Sequence, residues 1–529
     1  MSTTAAPPKS SIPTPTAIPR GFAALIGLLA VGAALAFGHL VAALISPSSS
    51  PYLAVGDTVI RFSPEPLTEF AKVTFGTNDK PILLSGIAVV IAIVAALAGL
   101  ASRRDPRPGL VTIVVLGALG FAAVAIAPVF SPLDLIAPLV SIVAGVLSFR
   151  WLYSLARRAY TQVTAPAGGV SRRNVLIGGS VAVGVGALAA GGGGLLLGNG
   201  VGGSRDVVTK QLQAARLVER APAIPAGAAF PEVGTPTFLT ANPDFYRIDI
   251  ALRIPSQTAS GWSMKIHGMV DKEITLTFDD LLARPLVERT ITMTCVSNPI
   301  GGNLVSTTNF IGVELRDILK EAGIRPGADQ LFSTSVDGWY TGTPTDVVME
   351  PGRGALLAIG MNGEALPPEH GFPVRMVVPG LYGYVSATKW VVDLEVTTFA
   401  DPKKRGYWLE RSWAQKAPIK TMSRIDSPQG FAQVPAGKVT VSGTAWAQQT
   451  GIEKVEVRAD GGAWQVAELS TEVNINTWRM WRAELQLGPG SHNVQSRATD
   501  KSGYTQTEMR ADPIPDGASG WQSTIFTVN

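Results

Sequence analysis

Five predominantly apolar runs occupy residues 21–45, 81–101, 109–127, 133–152 and 175–198. Each is long enough to cross a bilayer core of about 30 Å, which takes roughly 20 helical residues. A backbone in hydrocarbon must satisfy its own hydrogen bonds, so runs of this kind fold as α-helices. They predict an N-terminal helical membrane region over residues 1–200, with lipid as its partner. His39 is the only histidine in any run. A membrane haem b takes two axial histidines, so no haem is expected there. No paired Asp, Glu or Lys lies within the runs, which favours an anchor over a conduction path.

The basic residues orient the helices. Lys9 and Arg20 precede the first run, Arg103, Arg104 and Arg107 lie between the second and third, and Arg150, Arg157, Arg158, Arg172 and Arg173 surround the fourth-to-fifth connection. Residues 128–132, after the third run, hold no Lys or Arg. The positive-inside rule then predicts a multi-pass plasma-membrane protein with a cytoplasmic N-terminus. The loop 46–80 and everything after about residue 200 fall outside the cytoplasm. The stretch Ser171-Arg172-Arg173-Asn174-Val175-Leu176 (residues 171–176) resembles a twin-arginine export signal, although it is internal. Such signals move domains already folded around a cofactor; a plain positive-inside pair is the alternative.

Beyond residue 200 the composition is that of a soluble protein. Residues 201–236 read as a charged helical stalk followed by a Pro/Ala/Gly-rich linker. Residues 237–400 mix strands (262–270, 374–378, 390–396) with an amphipathic helix at 313–322 that Gly323 closes. A basic connector fills 401–433. From 434 to 529 short strands recur, with a hairpin turn at Asp460-Gly461-Gly462, and predict an immunoglobulin-like β-sandwich. The fold class is therefore multi-domain: membrane helices, a mixed α+β domain and a β-sandwich. A net charge of only +4 with no basic-aromatic pattern gives no case for nucleic acid.

Cys295 is the single cysteine among 529 residues. It cannot close an intramolecular disulfide or build a Cys-rich zinc site. Packing, reactivity or service as one soft metal ligand remain open. Its surroundings are Thr294-Cys295-Val296-Ser297-Asn298, followed by Phe310-Ile311-Gly312-Val313-Glu314-Leu315-Arg316-Asp317. Downstream come Met361-Asn362-Gly363-Glu364 and His370-Gly371-Phe372-Pro373-Val374-Arg375, then Gly383 and Lys389-Trp390-Val391. The sandwich adds Ser442-Gly443-Thr444-Ala445-Trp446, Trp464 and Arg497-Ala498-Thr499-Asp500. Together, in this order, the segments resemble the sulfite oxidase family of molybdenum-cofactor enzymes, over most of residues 237–529.

The resemblance implies a mononuclear molybdenum–molybdopterin cofactor, with Cys295 as the protein's thiolate ligand. Molybdenum favours soft sulfur donors. His370, Arg375 and Lys389 match cofactor-binding positions, and Ser386 and Thr388 match the remaining pterin and phosphate contacts. Cations suit an anionic tail, Arg as a planar fork and Lys as a compact charge. Asn242 and Tyr246 fall in a segment resembling the family's first cofactor contact. Arg247 aligns with an arginine beside the metal, and Tyr340 with a tyrosine in the substrate pocket. The implied reaction is two-electron oxygen-atom transfer on a small substrate, with a separate electron carrier and, as in relatives, a homodimer.

One departure bears on substrate. Sulfite-oxidising members place an arginine in the loop after the Ala-Trp pair, where this chain reads Ala447-Gln448-Gln449-Thr450-Gly451. A neutral sulfoxide or N-oxide is then as good a candidate as sulfite. A non-catalytic membrane-anchored surface protein with a degenerate cofactor domain stays open as the alternative.

Overall fold

The computed structural model describes residues 17–75, 78–127, 130–161, 172–197 and 201–529. It divides into two compact units, residues 1–199 and 200–529.

In the first unit, four helices among the described residues are long and apolar enough to cross a membrane: Arg20–Ile45, Asp79–Ala101, Arg107–Ala125 and Pro132–Arg158. The fifth run lies in the helix Arg172–Leu197, whose stretch Ser180–Ala190 is a shorter apolar segment among the described residues. The twin-arginine-like motif lies outside the described residues apart from the helix backbone that begins at Arg172. Small residues bring helices together here. A side chain on Gly27 would lie 2.1 Å from the Ala95 carbonyl, and one on Gly99 would lie 2.1 Å from the Ala23 carbonyl. Helices Arg20–Ile45 and Asp79–Ala101 thus touch backbone to backbone, as small residues allow in lipid. The connection between them is helical, with Pro51–Phe62 and Glu65–Phe75.

The second unit is β-rich. One antiparallel sheet runs Leu286–Thr294, Val305–Glu314, Leu356–Met361 and Glu364–Ala365, with Arg375–Val377 also paired to Leu356–Met361. A second sheet orders Ile274–Thr277, Ser263–Gly268, Val391–Thr397, Gln330–Ser335 and Tyr340–Pro344. The helix Leu315–Ala322 buries Leu315, Ile318, Leu319 and Ala322, one face at helical spacing, and ends on Gly323 in the left-handed region. Two further sheets form the C-terminal part. Met422–Ser427, Gly437–Trp446, Arg479–Leu487 and Glu468–Leu469 make one; Gln433–Val434, Gln522–Val528, Gly490–Asp500, Ile452–Ala459 and Gln465–Val466 make the other. They share a core of Val441, Ala445, Val455, Val457, Trp481, Val494, Ala498 and Phe526.

Residues 201–236, expected as stalk and linker, are packed. The helix Val201–Ala214 buries Val208 and Leu212 in the core of the α+β part, and Ala228 and Phe230 join them. Arg205 Nη2 pairs with Glu364, and the Thr209 hydroxyl accepts from the Ala365 N–H at 3.1 Å. The expected connector 401–433 likewise places Trp413, Ala417 and Ile419 in that core, and its end forms the strand Met422–Ser427. Pro/Ala/Gly content and charge favour an exposed reading; the tertiary partners that cover these segments are distant in sequence.

Candidate functional site

Cys295 follows directly on the strand Leu286–Thr294 and is buried. Its N–H donates to the Leu304 carbonyl at 2.9 Å, and its own carbonyl accepts from the Asn298 N–H at 3.1 Å. The Asn298 side chain in turn accepts from the Leu304 N–H at 2.9 Å. The loop is therefore held shut from inside, and the thiol sits at a fixed place at the strand end.

Two tyrosines face this thiol. A side chain on Gly383 would meet the Tyr246 hydroxyl at 3.7 Å and the Thr294 carbonyl at 4.0 Å, so these groups converge. Burial first, and then the neighbouring Cys295, push the Tyr246 phenol far up from its ordinary range. Burial likewise raises Tyr382 to about 12, with Asp516 and Cys295 adding to it. Both phenols therefore keep their protons at neutral pH.

Tyr246 also faces Arg375, the centre of a cationic cradle. The turn Pro368–His370 ends on Gly371 at φ 108°, where a side chain would lie 3.0 Å from Arg375 Cβ and 3.2 Å from Lys389 Cα. Only glycine lets these three positions close together. Arg375 Nη1 donates to the His370 carbonyl at 3.1 Å, and its guanidinium lies over the Phe310 ring. Lys389 Nζ donates to the Glu369 carbonyl at 2.9 Å and pairs with Asp249 at 3.2 Å. Arg247 Nε reaches the same Asp249 carboxylate at 2.8 Å. His370 Nε2 lies 3.2 Å from the Asn242 carbonyl, and the Asn242 side chain bonds Asn362. Burial lowers Arg375 to about 10, and burial lowers Lys389 to about 8 against the pull of Asp249.

Sequence-predicted residues thus gather into one region: Asn242, Tyr246, Arg247, His370, Arg375 and Lys389, with Cys295 across Tyr246. Ser386 and Thr388 line the same segment, but their hydroxyls serve the fold. Ser386 donates to the Leu381 and Tyr382 carbonyls, each at 3.0 Å, and Thr388 pairs with Ser333 at 2.6 Å. Tyr340 stands apart in its contacts. Its hydroxyl donates to Glu410 at 3.0 Å, and its ring lies against Phe332 and Tyr407. Sequence reasoning passed over Asp249, the shared counter-ion. The signal was available: Arg247 and Asp249 are oppositely charged and two apart in the sequence.

The cradle has a feature that tests what it holds. His370 Nδ1 and Arg375 Nε are buried without a hydrogen-bond partner, and no carboxylate lies within ion-pair distance of Arg375 among the described residues. Buried polar groups are normally paired, and a buried cation with no counter-charge is costly. An anionic, hydrogen-bond-accepting group resolves both. The family described as oxidoreductase molybdopterin binding domain matches residues 251–408. Mitochondrial sulfite oxidase of Macaca fascicularis is 29% identical over 337 residues, 54% of this chain and 60% of that protein. The chain carries an oxidoreductase molybdopterin binding domain and is similar to the sulfite oxidases.

Sulfite oxidase of Gallus gallus is 27% identical over 322 residues, 52% of this chain and 69% of that protein. A nitrate reductase [NADH] of Oryza sativa subsp. japonica is 28% identical over 316 residues, 48% of this chain and 34% of that protein. The sulfane dehydrogenase SoxCD structure from Paracoccus pantotrophus covers 59% of this chain and 90% of its own at a TM-score of 0.47 and 23% identity. The chain spans about 60% of the length of the macaque relative. As in the sulfite oxidase family generally, a molybdopterin tail is anionic, and the unpartnered donors of the cradle fit it.

His370 gives a pH signature. Burial, then Arg375 and Lys389, push its imidazole down to about 3. The folded state therefore binds fewer protons than the unfolded state between about pH 3 and pH 6.5, so stability rises with pH across that window. Acidifying the cofactor-free protein from pH 7 to pH 4.5 is expected to remove about 2.5 kcal/mol at this one residue. His370→Gln should flatten that dependence in thermal unfolding. Equal pH slopes in both proteins would place the acid sensitivity elsewhere.

Proposed function

We propose that this is a membrane-anchored, extracytoplasmic molybdenum-dependent oxidoreductase. It transfers an oxygen atom and two electrons between a small substrate and a separate electron carrier. The observation that carries the reading is the cradle of His370 and Arg375, lacking a counter-charge among the described residues, beside the only cysteine, with Tyr246 against both.

When bound, the molybdenum cofactor supplies the two-electron redox change. In this reading Cys295 is its sulfur ligand, and the loop closed by Asn298 fixes where that sulfur stands. His370, Arg375 and Lys389 would hold the anionic tail, with Asn242 and Tyr246 beside them. Ser386 and Thr388 shape the chain beneath it. Arg247 shares Asp249 with Lys389 and leaves the rim cationic. Tyr246 and Tyr382 each hold a proton at a phenol oxygen near the sulfur, where it can be donated to an oxygen that gains charge. Tyr340, matched by resemblance to a pocket tyrosine, hydrogen-bonds Glu410 and packs against Tyr407.

The substrate belongs to the sulfite, sulfoxide or N-oxide class. The absence of an arginine from the loop 447–451, where sulfite-oxidising members have one, supports a neutral S- or N-oxide. Five membrane spans with a cytoplasmic N-terminus, export through the residue 171–176 motif, an immunoglobulin-like C-terminal domain and a homodimer complete the proposal. The order of the domains is membrane region, molybdopterin domain and sandwich.

Purified protein should contain one molybdenum per chain and absorb visible light through thiolate-to-metal charge transfer. A panel of sulfite, sulfoxides and N-oxides with an artificial electron carrier identifies the substrate. Wild-type protein free of molybdenum would overturn the reading.

A further inference from the structure

The strand Leu286–Thr294 pairs on one side with Val305–Glu314 and stands at the edge of its sheet. Edge groups need cover, because unpaired buried backbone is costly. At its start the cover comes from residues 218 and 219: the Val218 N–H donates to the Leu286 carbonyl at 2.9 Å, and Glu219 bridges Val287. At its end, next to Cys295, the C-terminal sheets take over. Asn474 Nδ2 donates to the Thr290 carbonyl at 3.2 Å, and the Thr292 N–H donates to the Asn476 carbonyl at 2.9 Å. The Trp478 N–H donates to the Thr292 hydroxyl at 2.7 Å. Gln448 Nε2 then reaches the Thr292 carbonyl at 3.2 Å and the Thr294 hydroxyl at 3.4 Å.

Gln448 differs from the other contacts. It is 5% exposed, and its Oε1 is buried with no hydrogen-bond partner. A buried amide with half its capacity unmet is unfavourable as mere adhesive. Its donor end holds residues 292 and 294, two positions on the same side of the strand. Fixing both fixes the direction in which the next residue leaves, and that residue is Cys295.

We propose that Gln448 is a positioning residue through which the C-terminal β unit sets the Cys295 sulfur. The proposal rests on Cys295 being the sulfur ligand, but it concerns the thiol's placement and is read without the cofactor. Because Cys295 is the only cysteine in the chain, alkylation by a neutral maleimide reports on this one thiol.

The experiment uses the full chain in detergent, produced without molybdopterin. Gln448→Ala is expected to alkylate roughly five-fold faster than wild type, the equilibrium weight of about one net hydrogen bond. Gln448→Glu keeps the size, sets an oxygen against the Thr292 carbonyl, and should also accelerate. Asn474→Ala removes a neighbouring bond of the same interface, and should alkylate at the wild-type rate despite a comparable loss of stability. In loaded protein Gln448→Ala should lower kcat with KM held. Wild-type alkylation rates in both Gln448 variants, or equal acceleration by Asn474→Ala, overturn the proposal. Absence of molybdenum from loaded wild type sinks the cofactor reading instead, and the alkylation rates still decide the role of Gln448.

Discussion

Replacing Arg375 by methionine is expected to shift stability in opposite directions in empty and loaded protein. In the empty protein the guanidinium is buried, lies near no carboxylate among the described residues, and makes one hydrogen bond, to the His370 carbonyl. Such a charge has lost its water and gained little in return. Methionine is similar in length and needs no partner. The gain from removing the charge, less the lost hydrogen bond, is about 1–2 kcal/mol in favour of the variant. In loaded protein the same substitution removes a cation from the anionic tail, so cofactor retention should collapse. Unfolding midpoints with and without cofactor, together with pterin content, check both halves. A variant less stable when empty would mean that Arg375 is a structural residue.

The second large effect is at Cys295. Serine is nearly the same size, and burying a hydroxyl in place of the thiol costs about 1–2 kcal/mol. The fold should survive. On the proposed role of Cys295 as metal ligand, turnover should fall by roughly three orders of magnitude or more, since losing that ligand would remove at least about 4 kcal/mol of barrier lowering. The visible absorption should vanish with it, because an alcohol is a poor soft donor. Substantial turnover by Cys295→Ser with unchanged colour would remove Cys295 from the metal.

Much of this was legible in the sequence, for physical reasons. Membrane helices announce themselves by length and hydropathy, and four runs match helices of spanning length. The helix ending at Gly323 was legible because its apolar face and its cap agree. The cradle was legible as a motif because Gly371 must be glycine for Arg375 and Lys389 to approach. Other features were not. Asp249 has no motif, and its meaning depends on Lys389, which is 140 residues away in sequence. Tyr340 matched a pocket position by alignment, yet its hydroxyl goes to Glu410, which sequence alone does not reveal. Gln448 lay in a loop notable in sequence only for lacking an arginine; its grip on Thr292 and Thr294 exists only once two distant segments meet.

The helix Val201–Ala214 carries a last consequence. Val208 and Leu212 belong to the enzyme's interior, and Arg205 and Thr209 hold the hairpin at Glu364 and Ala365 that leads into the turn of His370. This helix is therefore a beam of the domain it leads into. A soluble version cut within residues 215–236 would lose that beam, whereas one beginning near residue 200 keeps the whole frame. In the proposed membrane-anchored protein, removing the apolar helices without harming the catalyst leaves a narrow place to cut, just before this helix.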